Sequence, residues 1–435
     1  MKFTVFPKAD SSKVERPSYT REVARFDSCS AYQYGPTKGM DVLYLSACAP
    51  APPDKGERIR AYHEVIRLAS RCRLHLACFV RSQAEVDATR QLPGPFASVH
   101  LEMLQPFQAL PRAAARFALG GSLTLSFYNS RAMHAYVESL ARRVRFSAVI
   151  AYSSAMVPYV PSGAALLLDM VDVDSEKWLQ YARRRRPAFL YATEGRRLRR
   201  HEAMAARRAW CTYLCTGPEA SILQSCAGDA RIQCLENGVD GERFHPDHTP
   251  PLETAGRRWL VFTGIMNYYP NQDGVCWFGR EIFPDLRRQD PTLEFVIVGR
   301  SPSRAVRALA GLPGVTVTGE VPDTRPYLRS ATAVVAPLRV ARGIQNKVLE
   351  ALAMGKTVLA SGAVGRSFGS ALPAGLILCE DHSRSWLSAL SSQPAFVPVN
   401  RTVREDACRR FSWEANMQPL LRDLEIAAAR GTPVS

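Results

Sequence analysis

The sequence predicts an α/β protein with two doubly wound domains that face each other across a cleft. Three observations predict it. Short apolar runs of strand length alternate with amphipathic, helix-length segments, which is the pattern of a parallel sheet covered by helices. The alternation occurs as two separate series, split by a polar, proline-rich stretch. Glycine stands at or just past the end of several of the strands, as it does where such sheets turn into a ligand crevice. The 435 residues also exceed what one hydrophobic core organises.

Taken in order, residues 1–39 are polar and irregular and read as a disordered or loosely attached extension. The first domain spans residues 40–236. Its first strand covers 41–46. A loop with Pro52, Pro53, Asp54, Lys55 and Gly56 leads into a helix through Ile59, Tyr62, Val65 and Leu68, and a strand follows at 74–80. This is a βαβ unit, and composition alone favours reading its loop as a plain exposed turn. Further strands are expected at 99–104, 148–152, 164–172, 210–215 and 231–235, with a helix over 132–144. The strand ending near residue 172 carries Asp169, Asp172 and Asp174. One of these caps the next helix, and the others stand where parallel sheets bind ligands. The linker is placed at 237–258.

The second domain, residues 259–405, repeats the pattern with strands at 258–263, 293–298, 315–318, 333–338 and 357–360. Its densest motif lies between the last two strands. There Gly343 is expected to open a helix whose apolar face is Val348, Leu349, Ala351, Leu352 and Ala353, closed by Gly355. A helix mouth gathers free N–H groups and the positive end of the dipole, and Arg342 and Lys347 add two cations. Glu350 is expected about two turns in, placed to accept hydrogen bonds from hydroxyls. A diphosphate carrying a ribose fits that arrangement, although an ordinary βαβ turn uses glycine in the same place. Residues 406–435 hold a final amphipathic helix, started by Ser412 and lined by Met417, Leu420, Leu421 and Leu424.

Composition bounds the function. With 46% hydrophobic and 22% charged residues the chain is ordinary globular protein, and no apolar run reaches membrane-spanning length. The first ten residues lack a signal-peptide core, so a cytoplasmic location is expected. The 11 cysteines show no Cys-x-x-Cys pair and read as free thiols, so no metal site is expected. The formal charge of +16 favours anionic partners. Arginines crowd residues 183–208, but no nucleic-acid-reading motif or interleaved aromatic accompanies them, so nucleic acid is not expected. An anionic membrane surface suits them better, and so does an ordinary solvated helix face.

The second half resembles the nucleotide-binding domain of GT-B glycosyltransferases of the retaining group 1 (family 4) class. The resemblance is carried by Phe262-Thr263-Gly264, by residues 296–300, by Val317 through Val321, and by the segment from Gly343 to Gly355. Asn237-Gly238-Val239-Asp240 with Phe244 resembles that class's hinge, and Phe411-Ser412-Trp413 the start of its C-terminal crossover helix. Residues 52–60, 171–178 and 341–350 resemble sugar transferases associated with PEP-CTERM/exosortase exopolysaccharide gene sets. The likeness covers residues 41–428.

The resemblance implies a GT-B fold and retaining transfer of a sugar from a UDP- or GDP-sugar, without metal or other cofactor. It implies a lipid-linked or glycan acceptor, and work at the inner face of the cytoplasmic membrane. By that pattern Glu350 holds the ribose hydroxyls, and the backbone of Gly343, Ile344, Gln345 and Asn346 cradles the diphosphate. Gly264 closes the first strand of the donor domain. Gly299, Arg300, Val321 and Pro322 flank the base, and Gly56 lets the N-terminal loop approach the phosphates. Asp172 stands where relatives carry a histidine and is a candidate catalytic group. Two departures are visible. Arg342 occupies the position where the class has a glutamate, and residues 265–271 lack the usual cations; Arg342 and Lys347 are expected to supply that charge. A GT-B nucleotide-sugar epimerase and a non-catalytic GT-B-like binding protein are the competing readings.

Overall fold

A computed structural model describes residues 39–184, 186–341, 343–369, 371–391 and 399–429. The extension expected at 1–39 falls outside it except for Gly39, and so does Arg342.

The first lobe is a seven-stranded, all-parallel sheet in the order β3-β2-β1-β4-β5-β6-β7. Its strands are β1 (Asp41–Ser46), β2 (Arg73–Val80), β3 (Phe96–Met103), β4 (Ala148–Tyr152), β5 (Leu166–Val171), β6 (Cys211–Leu214) and β7 (Ile232–Cys234). Its helices are α1 (Gly56–Ala69), α2 (Gln83–Arg90), α3 (Pro106–Ala118), α4 (Leu123–Phe127), α5 (Arg131–Ala141), α6 (Asp174–Arg184), α7 (Ala188–Arg208) and α8 (Gly217–Ala227). The central strands are unbroken apolar runs because helices cover both faces of the sheet, so neither face reads as polar.

The second lobe is a six-stranded parallel sheet in the order β10-β9-β8-β11-β12-β13. Its strands are β8 (Arg258–Thr263), β9 (Leu293–Val298), β10 (Val315–Gly319), β11 (Ala333–Ala336), β12 (Val358–Ser361) and β13 (Leu376–Cys379). Between and after them run α9 (Tyr269–Trp277), α10 (Phe283–Gln289), α11 (Arg304–Arg307), α12 (Arg325–Ser330), α13 (Asn346–Ala353), α14 (Gly362–Gly365), α15 (Ser383–Ser391), α16 (Arg401–Arg410), α17 (Trp413–Asn416) and α18 (Gln418–Ala429).

In each sheet the chain reverses its direction of travel once, between β1 and β4 and between β8 and β11. Ligand crevices in such sheets lie outside the carboxyl ends of the strands at that switch. The lobes are tied together by the end of the chain. Met417, Leu420, Leu421 and Leu424 pack into the first lobe's core beside Tyr44, Ile150 and Leu167. The linker is also pinned, since Val239 N donates to Phe411 O at 2.6 Å and Phe244 leans on the second core.

The structure corrects two local expectations. Gly343 does not open a helix: α13 starts three residues later at Asn346, and Gly343 sits in the preceding turn at φ +65°. Glu350 is consequently in the second turn rather than beyond it. Of the three carboxylates near β5, Asp174 begins α6, while Asp169 is fully buried against Arg60 at 2.7 Å and is closed to any ligand. Among the described residues no cysteine is paired, no helix is long and apolar enough to cross a membrane, and no group of three His, Cys, Asp or Glu gathers as metal ligands.

Candidate active site

The candidate site is built where the turns after β8 and β9 meet the start of α13. Gly264 N donates to Val298 O at 3.0 Å, which sets the two turns side by side. A side chain at Gly299 is impossible there, because its Cβ would stand 1.8 Å from Gly264 O. The open side of Gly264 receives Lys347, whose Nζ lies 3.0 Å from where a Cβ would be. That ammonium donates to Asn271 Oδ1 at 2.7 Å and rests 4.1 Å above the centre of the Phe262 ring. Burial pushes Lys347 down to about 7, against the opposing pull of Glu350.

Glu350 follows Lys347 by three residues and so shares its face of α13, opposite the apolar face that packs into the lobe. Burial holds its carboxyl above the usual range, with Arg243 and Lys347 pulling it back. Both side chains are half-buried. Glu350 therefore does not point into a packed interior.

The first lobe reaches this turn at two points. At the end of β5, Val171 is forced into the left-handed region (φ 64°), a costly conformation for a β-branched residue, and it presents Asp172 toward the second lobe. A Cβ on Gly343 would lie 3.2 Å from Asp172 Oδ1 and 3.0 Å from Cys215 Sγ, so glycine is what lets the turn come this close. Cys215 Sγ donates to Asp172 Oδ1 at 3.1 Å, and Lys177 Nζ stands 3.0 Å from Asp172 Oδ2. Burial works to lower Lys177, but Asp172 and Asp174 outweigh it and hold the ammonium well above its ordinary value.

The second point is the start of α1. Arg60 Nη1 donates to Asn237 Oδ1 at 3.3 Å, so Asn237 turns its amide N–H toward Asn346 Oδ1 at 3.1 Å. Asn346 Nδ2 is thereby left buried with no hydrogen-bond partner, 3.9 Å from the Cβ position of Gly56. Neither α1 nor α13 carries a side-chain cap at its N-terminus, so their first N–H groups stay open to an acceptor.

The remaining expected residues fall as follows. Ile344 buries its side chain in the second core, so only its backbone faces the turn. Gln345 Nε2 donates to Gly343 O at 3.2 Å. Arg300 pairs across the lobes with Asp54 at 2.9 Å. Val321 packs on the second core and Pro322 is exposed, both just past β10. Phe262, Asn271, Asn237, Lys177 and Cys215 belong to the site and were not among the expected residues. Asn237 carried a signal as part of the hinge motif, Phe262 as part of the Phe262-Thr263-Gly264 segment and Lys177 within the 171–178 segment, whereas Asn271 and Cys215 carried none.

Residues 257–392, which run from β8 through α15, match the family described as Glycosyl transferases group 1. The second lobe is a group 1 glycosyl transferase domain. Solved structures extend the likeness over both lobes. HepE of Anabaena, crystallised with UDP, aligns over 89% of this chain and 100% of its own at 14% identity, with a TM-score of 0.62. Sucrose-phosphate synthase of Thermosynechococcus elongatus covers the same shares at 15% and 0.60. The α,α-trehalose-phosphate synthase of Burkholderia xenovorans, solved with glucose-6-phosphate, does so at 11% and 0.60. At these identities the likeness shows the fold, which is GT-B. No curated relative matches. The chain thus carries a glycosyltransferase domain within a two-lobed GT-B fold. Its group 1 domain contributes Gly264, Gly299, Lys347 and Glu350, and the other lobe contributes Asp172 and Gly56.

Proposed function

We propose that the chain moves a sugar, with retention at the anomeric carbon, from a UDP- or GDP-sugar to a lipid-linked acceptor in exopolysaccharide or envelope glycan synthesis. One observation carries the donor half of this reading. A partly desolvated ammonium, Lys347, and a carboxylate, Glu350, share one face of α13 at the switch between β8 and β11.

In this reading the diphosphate lies against Lys347, the first N–H groups of α13 and the unpartnered amide of Asn346. Glu350 accepts from the ribose hydroxyls. The bond from the anomeric carbon to the diphosphate oxygen breaks as the acceptor hydroxyl forms the new one. The diphosphate leaves with the electron pair, and the acceptor's proton passes to it. Lys347 neutralises the charge that develops there, a contribution of several kcal/mol in a dry site. Arg342, one residue before Gly343, is the second cation of the proposal. Asp172, held by Lys177 and Cys215, is the polar group on the acceptor side. Metal independence belongs to the same proposal, the cations standing in for the ion.

HepE crystallised with UDP and with UDP-glucose makes a uridine donor the first candidate. A thermal-shift series across nucleoside diphosphates tests it. At about a hundredfold excess over its dissociation constant the right ligand stabilises by roughly 2.7 kcal/mol, a rise of several degrees. If none of UDP, GDP, ADP and CDP moves the transition, the donor reading fails.

A further inference from the structure

The three most exposed large apolar side chains among the described residues are Leu119 at 87%, Phe107 at 85% and Phe189 at 68%. All three lie in α3 and α7 of the first lobe or directly beside them. Phe107 lies in the first turn of α3 and Leu119 directly follows its end, while Phe189 lies in the first turn of α7. The two helices are bound together. Arg197 on α7 donates to Phe117 O at 2.6 Å and Gly121 O at 2.7 Å and lies over the Phe117 ring. Glu194 takes the first N–H groups of α4, at Leu123 and Thr124.

The charge around these tips is one-sided. No Asp or Glu occurs from Met103 to Val137, a stretch that includes Arg112, Arg116 and Arg131. None occurs from Lys177 to Thr193 either, where Arg183 and Arg186 precede Phe189. Arg112, Arg116, Arg183 and Arg186 are exposed. In α3 only Ala109 and Ala113 are buried, so most of the helix stands free of the lobe. Much of the arginine cluster farther along α7 is committed elsewhere: Arg199 pairs with Glu176, and Arg207 and Arg208 bond carbonyls at Cys226, Val160 and Pro161.

We propose that the edge formed by α3 and the start of α7 docks on an anionic lipid surface, with Phe107, Leu119 and Phe189 entering the headgroup boundary and the flanking guanidinium groups contacting lipid phosphates. Apolar tips carried on stretches that hold arginines and no carboxylate are the complement of such a membrane. Arg116 and Leu119 also wall a cavity of about 350 Å³ with Tyr128, Asn129 and Tyr159. That cavity borders the turn after β4, and β4 pairs with β5, the strand that presents Asp172. The docked edge therefore lies on the acceptor side of the lobe. The inference deepens the acceptor half of the proposed function and does not depend on the donor half.

Flotation of the full-length chain tests it, with vesicles of phosphatidylcholine alone and with phosphatidylglycerol added. Binding is expected only to the anionic vesicles, and it weakens as salt is raised. Replacing Phe107, Leu119 and Phe189 together by serine lowers the partition coefficient by about tenfold or more. Arg112→Gln with Arg116→Gln lowers it at low salt and flattens the salt dependence. Each variant keeps the wild-type melting temperature and nucleotide-induced shift, since these side chains pack against nothing at the donor site. Wild-type protein that stays at the bottom with anionic vesicles overturns the proposal. So does a triple-serine variant that floats like wild type, including the case where removing residues 1–38 alone abolishes flotation.

Discussion

Lys347 concentrates the chemistry of the site in one side chain. Burial holds its ammonium down to about 7, while an unfolded lysine titrates near 10.5. Between those values the unfolded chain binds more protons, so stability of the unliganded protein rises with pH across about 7 to 10.5. A diphosphate placed against Nζ has the opposite effect on the group, because it favours the charged form. UDP binding is therefore expected to take up a proton at pH 8, and affinity falls as pH rises above about 7, by up to about tenfold per unit. Calorimetry at pH 8 in buffers of different ionisation heat measures the uptake directly. Lys347→Arg, permanently charged, retains binding and abolishes the uptake. Binding without proton uptake in the wild type sets the diphosphate away from this ammonium. That Lys347 and Glu350 share a face was legible in the sequence because both lie on one short helix, where spacing alone sets them side by side. That Asn271 and Phe262 hold Lys347 in place was not. They precede it by 76 and 85 positions, and their meeting depends on β8 and β11 pairing in the sheet.

At the scale of elements, the central strands were readable because burial on both faces writes them as continuous apolar runs. The irregular pieces were not. β13 is four residues long and lies at the sheet's edge, and α3 carries Pro111 inside it, which reads as a break rather than a helix. The start of α13 was misplaced for a related reason. A glycine before an amphipathic run signals a helix mouth equally well three residues early, and only the contact with Asp172 and Cys215 explains why the turn comes first. How α6 starts was hidden too. Its first turn is held from α7 by Glu202, which accepts from Ser175 N at 3.0 Å and from Ser175 Oγ. Burial, helped by Asp174, pushes Glu202 up to about 8. From about 4.5 to 8 the unfolded chain releases this proton while the folded chain keeps it. Stability from this group is thus fully present below about 4.5 and falls as pH rises, by up to about 1.4 kcal/mol per unit. Glu202→Gln, which does not titrate, removes that slope. Urea midpoints of the variant at pH 5 and pH 8 should differ less than those of wild type, and an equal decline in both assigns it to other groups.

Across the whole molecule, the first and second lobes are separate sheets that share a single chain end. The resemblance to a crossover helix put α18 in the right role, but no residue pattern shows how much of the first lobe depends on it. Tyr213 on β6 is fully buried, and its hydroxyl donates to Asp423 Oδ2 at 2.7 Å. Gln233 on β7 donates to the same oxygen at 3.2 Å, and Arg231 pairs with the other. One carboxylate, supplied after the second lobe is complete, thus satisfies polar groups on or beside the last two strands of the first lobe. Asp423→Ala strands the Tyr213 hydroxyl in an apolar core, at a cost of about 1–3 kcal/mol, with the lost charged contacts adding to it. Asp423→Asn keeps an acceptor for Tyr213 and costs less. If α18 merely decorates the first lobe, the alanine variant splits calorimetric unfolding into an early first-lobe step and an unchanged second-lobe step. If the helix makes the two sheets one cooperative unit, a single transition moves down by several degrees, and a nucleoside diphosphate that binds the second lobe raises the whole of it. Leu420, Leu421 and Leu424, nearly inaccessible inside the other lobe's core, favour the second outcome, because opening that lobe exposes them as well.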